Sequence, residues 1–103
     1  MSGYAKGRRF EYRVRDAFRQ NGYVVIRAAQ SKPIDLVCLK GGKSVLVECK
    51  TEKSFLGKHK RDELVSLAAA AGSKLLIAMR KKRKLVFKEI PTGSPITLRE
   101  LQQ

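Results

Sequence analysis

The sequence predicts an α/β protein, a central mixed β-sheet flanked by helices in the order α-β-β-β-α-β-β. Three observations carry this expectation. Two segments repeat apolar residues at helical spacing, and three short β-branched runs lie between them. Two further alternating runs follow the second helical segment. Gly41-Gly42 separates two of the runs and marks a tight hairpin.

The first helix runs from about Ala5 to Asn21, with Phe10, Val14, Ala17 and Phe18 at helical spacing and Asn21-Gly22 as its stop. Tyr23 to Ala28 reads as a strand. Ile34 to Leu39 and Ser44 to Cys49 are the two arms of the hairpin. Thr51 to Lys58 is a polar loop with an apolar tip at Phe55-Leu56-Gly57. The second helix spans about His59 to Ala71, with Leu64, Leu67, Ala68 and Ala71 on one face and Gly72 as its C-terminal stop. Lys74 to Met79 is a strand, Arg80 to Arg83 a basic turn, and Lys84 to Ile90 another strand. Pro91 to Pro95 reads as a loop, after which a short C-terminal helix can form.

The length, 103 residues, suits one small domain over residues 1–103, with a core modest enough for oligomerisation to help. Lys plus Arg number 23 against 9 Asp plus Glu, a net charge of +14. Such an imbalance costs self-repulsion and points to a polyanionic partner. The basic residues are densest at Lys6–Arg9, Lys58–Arg61 and Arg80–Lys84. No signal peptide and no apolar run near the ~20 residues of a membrane span is visible. Cys38 and Cys49 fall about 13 Å apart along the ladder, beyond the reach of a disulfide. Free thiols fit a reducing compartment, so an intracellular protein with no membrane contact is expected.

The chemistry concentrates where the hairpin ends. A two-residue turn pairs Lys40 with Lys43 and, counted back along the ladder, Asp35 with Glu48. Opposite residues share a face with Cβ atoms about 4.5–5.5 Å apart. Lys50, two residues past Glu48, shares that face. Two carboxylates this close repel unless a cation lies between them, which suggests a Mg²⁺ site, with Mn²⁺ as substitute. The plainer alternative is a cross-strand pair on a solvated edge, with Lys50 neutralising it. Val37, Leu39 and Leu46 share the face and imply partial burial. On the first helix Glu11 falls at about 100° from Phe10, beside Phe18 at about 80°, so it borders the apolar stripe. It can reach the acidic pair, or it can be an exposed partner for Arg15. Ser31 lies in the turn leading into Asp35, where it is either a turn serine or a hydroxyl of the site. No Cys/His set suits zinc, and no phosphate loop indicates a nucleotide cofactor.

Asp35, then Glu48-Cys49-Lys50 at the end of a hairpin, after a helix bearing Glu11, resembles the core of the restriction-endonuclease-like PD-(D/E)XK nucleases. Within that superfamily the sequence is similar to the archaeal-type, Hjc-like Holliday junction resolvases. Lys6-Gly7-x-x-x-Glu11, Gly22 to Ser31, Ile34-Asp35-Leu36-Val37, Val47-Glu48-Cys49-Lys50 and the loop and helix from Gly57-Lys58 to Leu67 carry the resemblance, which runs from about Lys6 to Met79. Departures are Pro33 one residue early, Gln30 where the family often has Gly, and Leu67 and Ala71 where it often has aromatics.

The resemblance implies a restriction-endonuclease-like nuclease core and a dimeric, Mg²⁺-dependent endonuclease making paired nicks in four-way DNA junctions. It makes Glu11, Asp35 and Glu48 metal-associated, with the Cys49 backbone carbonyl as a further oxygen ligand. Lys50 becomes the catalytic lysine, Ser31 an active-site residue and Arg27 a basic family position. With the basic patches, it gives Lys6, Arg8, Arg9, Arg27, Lys32, Lys53, Lys58, Lys60 and Arg61 as the expected DNA-binding residues. A C₂ homodimer would match the approximate twofold symmetry of the junction. Two other readings remain: another PD-(D/E)XK nuclease, nicking or repairing DNA, and a non-catalytic basic DNA-binding module.

Overall fold

The computed structural model describes residues 3–28, 33–51 and 56–103, with side chains described from Gly7 onward in the first helix. The elements are α1 (Gly3–Gln20), β1 (Val24–Arg27), β2 (Leu36–Lys40), β3 (Lys43–Lys50), α2 (Lys58–Ala71), β4 (Lys74–Lys81), β5 (Lys84–Ile90), β6 (Ser94–Ile96) and α3 (Leu98–Leu101). The six strands form one sheet in chain order, β1 to β6. Every neighbouring pair is antiparallel except β3–β4, which is parallel and is connected through α2. The sheet is therefore mixed, as the alternation of elements predicts.

Both long helices end as their sequences dictate. Gly22 takes φ 86°, and the amides of Gly22 and Tyr23 donate back to the Arg19 and Phe18 carbonyls. Gly72, at φ 64°, closes α2 the same way, and the Ser73 amide donates to Ala68. These bonds satisfy carbonyls that a helix end would otherwise leave unpaired.

Strand alternation sorts side chains to two faces. Leu36, Cys38, Val45, Val47, Leu76, Ala78 and Phe87 pack with Phe10, Val14 and Phe18 of α1 and Leu101 of α3. Phe18 anchors this core edge-on to Tyr23 (5.1 Å between ring centroids) and Phe87 (5.6 Å). On the other face, Leu46 and Leu75 pack with Ile34 against Leu64 and Ala68 of α2. By the same alternation, Glu48 and Lys50 lie on the α2 face, in line with Leu46.

The expected β2–β3 register is present, from Lys40↔Lys43 to Leu36↔Val47, including Cys38↔Val45. Two details differ from the sequence expectation. The fourth strand continues past Met79 to Lys81, so the basic turn shrinks to Lys82 and Arg83. The supposed loop from Pro91 to Pro95 contains the start of β6, which pairs Ser94 with Glu89 and Pro95 with Lys88. Proline argues against a strand because it cannot donate to a ladder, but β6 is an edge strand, where no donor is needed on the open side. A capping box joins Thr97 and Glu100 and starts α3.

Candidate nuclease site

Asp35 lies just before β2 and Glu48 within β3, one step past the Leu36↔Val47 pair. The Asp35 Oδ2 accepts a hydrogen bond from the Cys49 amide at 2.8 Å, which fixes that carboxylate against β3. Glu48 is only 6% exposed. Its Oε1 is buried with no hydrogen-bond partner among the described residues. Lys50 Nζ stands 4.0 Å from the other oxygen, Oε2. Burial raises the Glu48 carboxyl to about 7, helped by the neighbouring Asp35, while Lys50 and Lys60 pull it down. A buried carboxylate held close to a second one, with one oxygen unsatisfied, is costly to keep in a folded chain. The donor set suits a hard cation that takes oxygen ligands. The solvated-edge alternative does not describe this pair, because Glu48 is buried.

Glu11 is held differently from either sequence reading. Its Oε1 accepts from Arg27 Nε at 2.7 Å, an ion pair between α1 and β1. Arg27 also lies over the Tyr12 ring, 4.7 Å from its centroid. Arg15, the alternative partner for Glu11, instead pairs with Asp16 at 2.9 Å. Cys49 stands among the three carboxylates: burial raises its thiol, and Asp35, Glu11 and Glu48 raise it further. Glu11 thus bears on the Cys49 thiol from the α1 side, and no group of three or more His, Cys, Asp or Glu side chains poised around one metal position occurs among the described residues. The guanidinium of Arg27 ties the Glu11 carboxylate to β1. Cys38 and Cys49 are both free, and burial raises the Cys38 thiol as well, so neither is a ready nucleophile.

A family model described as archaeal Holliday junction resolvase, Hjc, matches residues 2–96. The chain belongs to that family. It is 31% identical over 87 residues to the crossover junction endodeoxyribonuclease Hjc of Methanocaldococcus jannaschii, a match covering 82% of this chain and 65% of that protein. The chain thus spans just under two thirds of that relative's length. The 1.6 Å structure of Hjc from Archaeoglobus fulgidus, described as a Holliday junction resolvase from an archaeal hyperthermophile, superposes with a TM-score of 0.71 at 27% identity. That match covers 80% of this chain and 70% of the Archaeoglobus chain. It agrees with a restriction-endonuclease-like arrangement of the mixed sheet and its helices.

In this Hjc-family chain the described members of the expected DNA-binding set lie on α1 (Arg8, Arg9), β1 (Arg27) and α2 (Lys58, Lys60, Arg61). Lys60, at the start of α2, lowers the Glu48 carboxyl and also pairs with Glu63 at 3.6 Å. Its electrostatic reach to Glu48 had no signal in the sequence, because it depends on how α2 docks. Arg61 donates to the Pro91 carbonyl at 2.7 Å. Lys58 is exposed at the N-terminal end of α2, and Arg8 and Arg9 are exposed on α1. Ser31, Lys32 and Lys53 lie outside the described residues, as does the side chain of Lys6.

The Glu11–Arg27 pair gives a separable expectation. If the pair only braces α1 against β1, Glu11→Gln should cost at most about 1 kcal/mol, since the ion pair is partly exposed. If Glu11 also serves the acidic pair, single-turnover cleavage should fall with little change in melting temperature. Measuring both on the same preparation decides between the two, and we expect the second result.

Proposed function

We propose that this chain is a structure-selective DNA endonuclease that resolves four-way junctions by paired nicks and uses Mg²⁺. The observation that supports this most is the buried Glu48, unsatisfied at one oxygen and set beside Asp35 and Lys50 in a chain of the Hjc family. Asp35 and Glu48 would hold the cation, with the Cys49 carbonyl and Glu11 as further candidates. When bound, the cation supplies Lewis-acid chemistry at the scissile phosphate. Asp35 is oriented for this by the Cys49 amide, which donates to its Oδ2, and it is hydrogen-bonded to the Glu48 side chain as well. Lys50 places an ammonium beside Glu48, where it can stabilise negative charge building on the phosphoryl group. Ser31 is proposed as a further polar group of the site.

Lys6, Arg8, Arg9, Arg27, Lys32, Lys53, Lys58, Lys60 and Arg61 are proposed to neutralise backbone phosphates. Affinity should therefore fall steeply with salt, and shape rather than base sequence should guide binding. No helix among the described residues is long and apolar enough to cross a membrane. Cleavage of a labelled four-way junction with and without Mg²⁺, beside flap and linear substrates of equal length, tests the reading. Equal cleavage of all three would favour a general nickase or repair nuclease. Binding without cleavage in Mg²⁺ would favour an architectural module.

The working unit is proposed to be a homodimer. One site per small chain and a twofold substrate match an isologous pair. Association would also cover Val24, Ile26 and Leu39, which are exposed at the β1 side of the sheet. On a supercoiled plasmid that extrudes a cruciform, paired cutting within one binding event should give linear product directly. Independent cutting relaxes the cruciform after the first nick and leaves nicked circles. A monomer by sedimentation at micromolar concentration, with nicked circles as the sole product, would overturn the paired mechanism.

A further inference from the structure

Two tight hairpins of the sheet share a backbone and a flanking Lys–Lys pair but differ at their two central residues. At one end, Gly41 and Gly42 take φ 57° and 78° between the paired Lys40 and Lys43. At the other end, Lys82 and Arg83 take φ 50° and 67° between the paired Lys81 and Lys84. Positive φ at both central positions is the type I′ pattern, for which Asn-Gly or Gly-Gly is preferred. Lysine and arginine are strained there, and such strain concentrates at functional positions. Lys81 and Lys84 add like charges directly opposite each other, a further unfavourable pair. No described salt bridge neutralises Lys81, Lys82, Arg83, Lys84 or Lys88. Nothing in the folding of this hairpin is served by four consecutive cations at its tip.

The position of the tip supplies a reason. In the parallel β3–β4 register Lys50 stands beside Met79, so the hairpin tip extends the sheet past the acidic pair at the same end. A groove of ≈ 720 Å³ runs from the tip to Thr51, the residue after Lys50: Thr51 lines it together with Lys82 and Lys88, over Met79, Val86 and Pro95. Arg13 of α1 donates to the Arg83 carbonyl at 2.9 Å and brings one more cation to the tip. At strand rise the tip lies roughly 10–15 Å from Lys50. That span corresponds to about three to four nucleotides along one DNA strand.

We infer that the β4–β5 hairpin is a DNA-backbone anchor, with Lys82, on the groove that starts at Thr51, and Arg83, next to it in the turn, binding phosphates about three to four nucleotides from the scissile one. This rests on the nuclease reading above and assigns to it a contact surface that the helix-borne basic residues do not supply. The strained turn keeps two cationic side chains projecting where Gly-Gly would leave none.

The test is Lys82→Asn/Arg83→Gly, which installs the preferred turn and removes two charges. Binding to a labelled four-way junction is measured in chelator across a salt series, with thermal melting in parallel. Lys43→Gln, at the far hairpin, is the charge control. The expected result combines opposite effects. The double variant melts several degrees higher, binds roughly tenfold more weakly near 0.1 M salt, and loses about two from its log–log salt slope. Lys43→Gln keeps the wild-type slope. An unchanged slope in the double variant, an equal loss in Lys43→Gln, or a lower melting temperature overturns the anchor while wild-type binding and Mg²⁺-dependent cleavage leave the nuclease reading standing. Failure of the wild-type protein to bind any DNA overturns both.

Discussion

Glu48→Gln is expected to be inactive on junction DNA and yet more stable than the wild type in chelator. The loss of activity follows from removing the carboxylate that, with Asp35, is proposed to hold the cation. Asp35→Asn should be equally inactive, since the amide keeps the oxygen that accepts from Cys49 but not the charge. Both variants should still bind junctions, because affinity rests on the basic surface; binding can tighten as a negative charge near the phosphate is lost. The gain in stability follows from the burial of Glu48. Its folded-state carboxyl is raised to about 7 by burial and by Asp35. Between its unfolded value, near 4.5, and 7 the folded chain holds a proton that the unfolded chain has lost. Stability should therefore decline as pH rises through that window and level off above it. The penalty at pH 8 is on the order of 1–3 kcal/mol. Glu48→Gln should remove the decline, and melting curves at pH 5 and pH 8 in chelator measure it. Mg²⁺ should raise the melting temperature of the wild type at pH 8 and leave Glu48→Gln unmoved, because only a ligand favouring the folded state stabilises it. Full cleavage in Glu48→Gln, or a pH-independent wild-type melting temperature, would sink the site assignment.

Lys50→Ala should slow single-turnover cleavage by at least about 10²-fold on a saturated complex, the scale of losing one electrostatic stabiliser of the transition state. Lys50 stands 4.0 Å from Glu48 Oε2 and lowers the Glu48 carboxyl, so the variant should also push Glu48 further toward its neutral form. Cation binding to the site would then weaken at neutral pH, and part of the rate loss should be recovered by raising pH and Mg²⁺. A rate that stays normal on saturated complex while affinity collapses would make Lys50 a phosphate anchor alone.

The sequence shows the sheet well because its signals are local. Gly41-Gly42 fixes the hairpin register, Gly22 and Gly72 mark helix ends, and the alternation of Leu36, Cys38, Val45 and Val47 assigns the α1 face. β6 is hidden because Pro91 and Pro95 read as loop residues, and only pairing with β5 makes an edge strand of that segment. The approach of Asp35 and Glu48 follows from the hairpin count alone. The Glu11–Arg27 pair does not, since it joins a helix to a strand sixteen residues later through a docking angle that periodicity leaves open. Lys82 and Arg83 read in sequence as one more basic patch. The positive φ at both is what distinguishes them, and backbone conformation has no compositional trace where glycine is absent.

The strictly sequential strand order has a kinetic consequence. Each antiparallel pairing closes between strands adjacent in the chain, through connections much shorter than those of a sheet whose order is shuffled. Only β3–β4 requires an intervening helix to be placed first. Topologies dominated by such local pairings fold quickly, because little loop entropy is lost before native contacts repay it. The chain therefore divides into two meanders, β1–β3 and β4–β6, that can each zip from its own turns. Asp35, Glu48 and Lys50 all belong to the first, ahead of the α2 crossover in the chain.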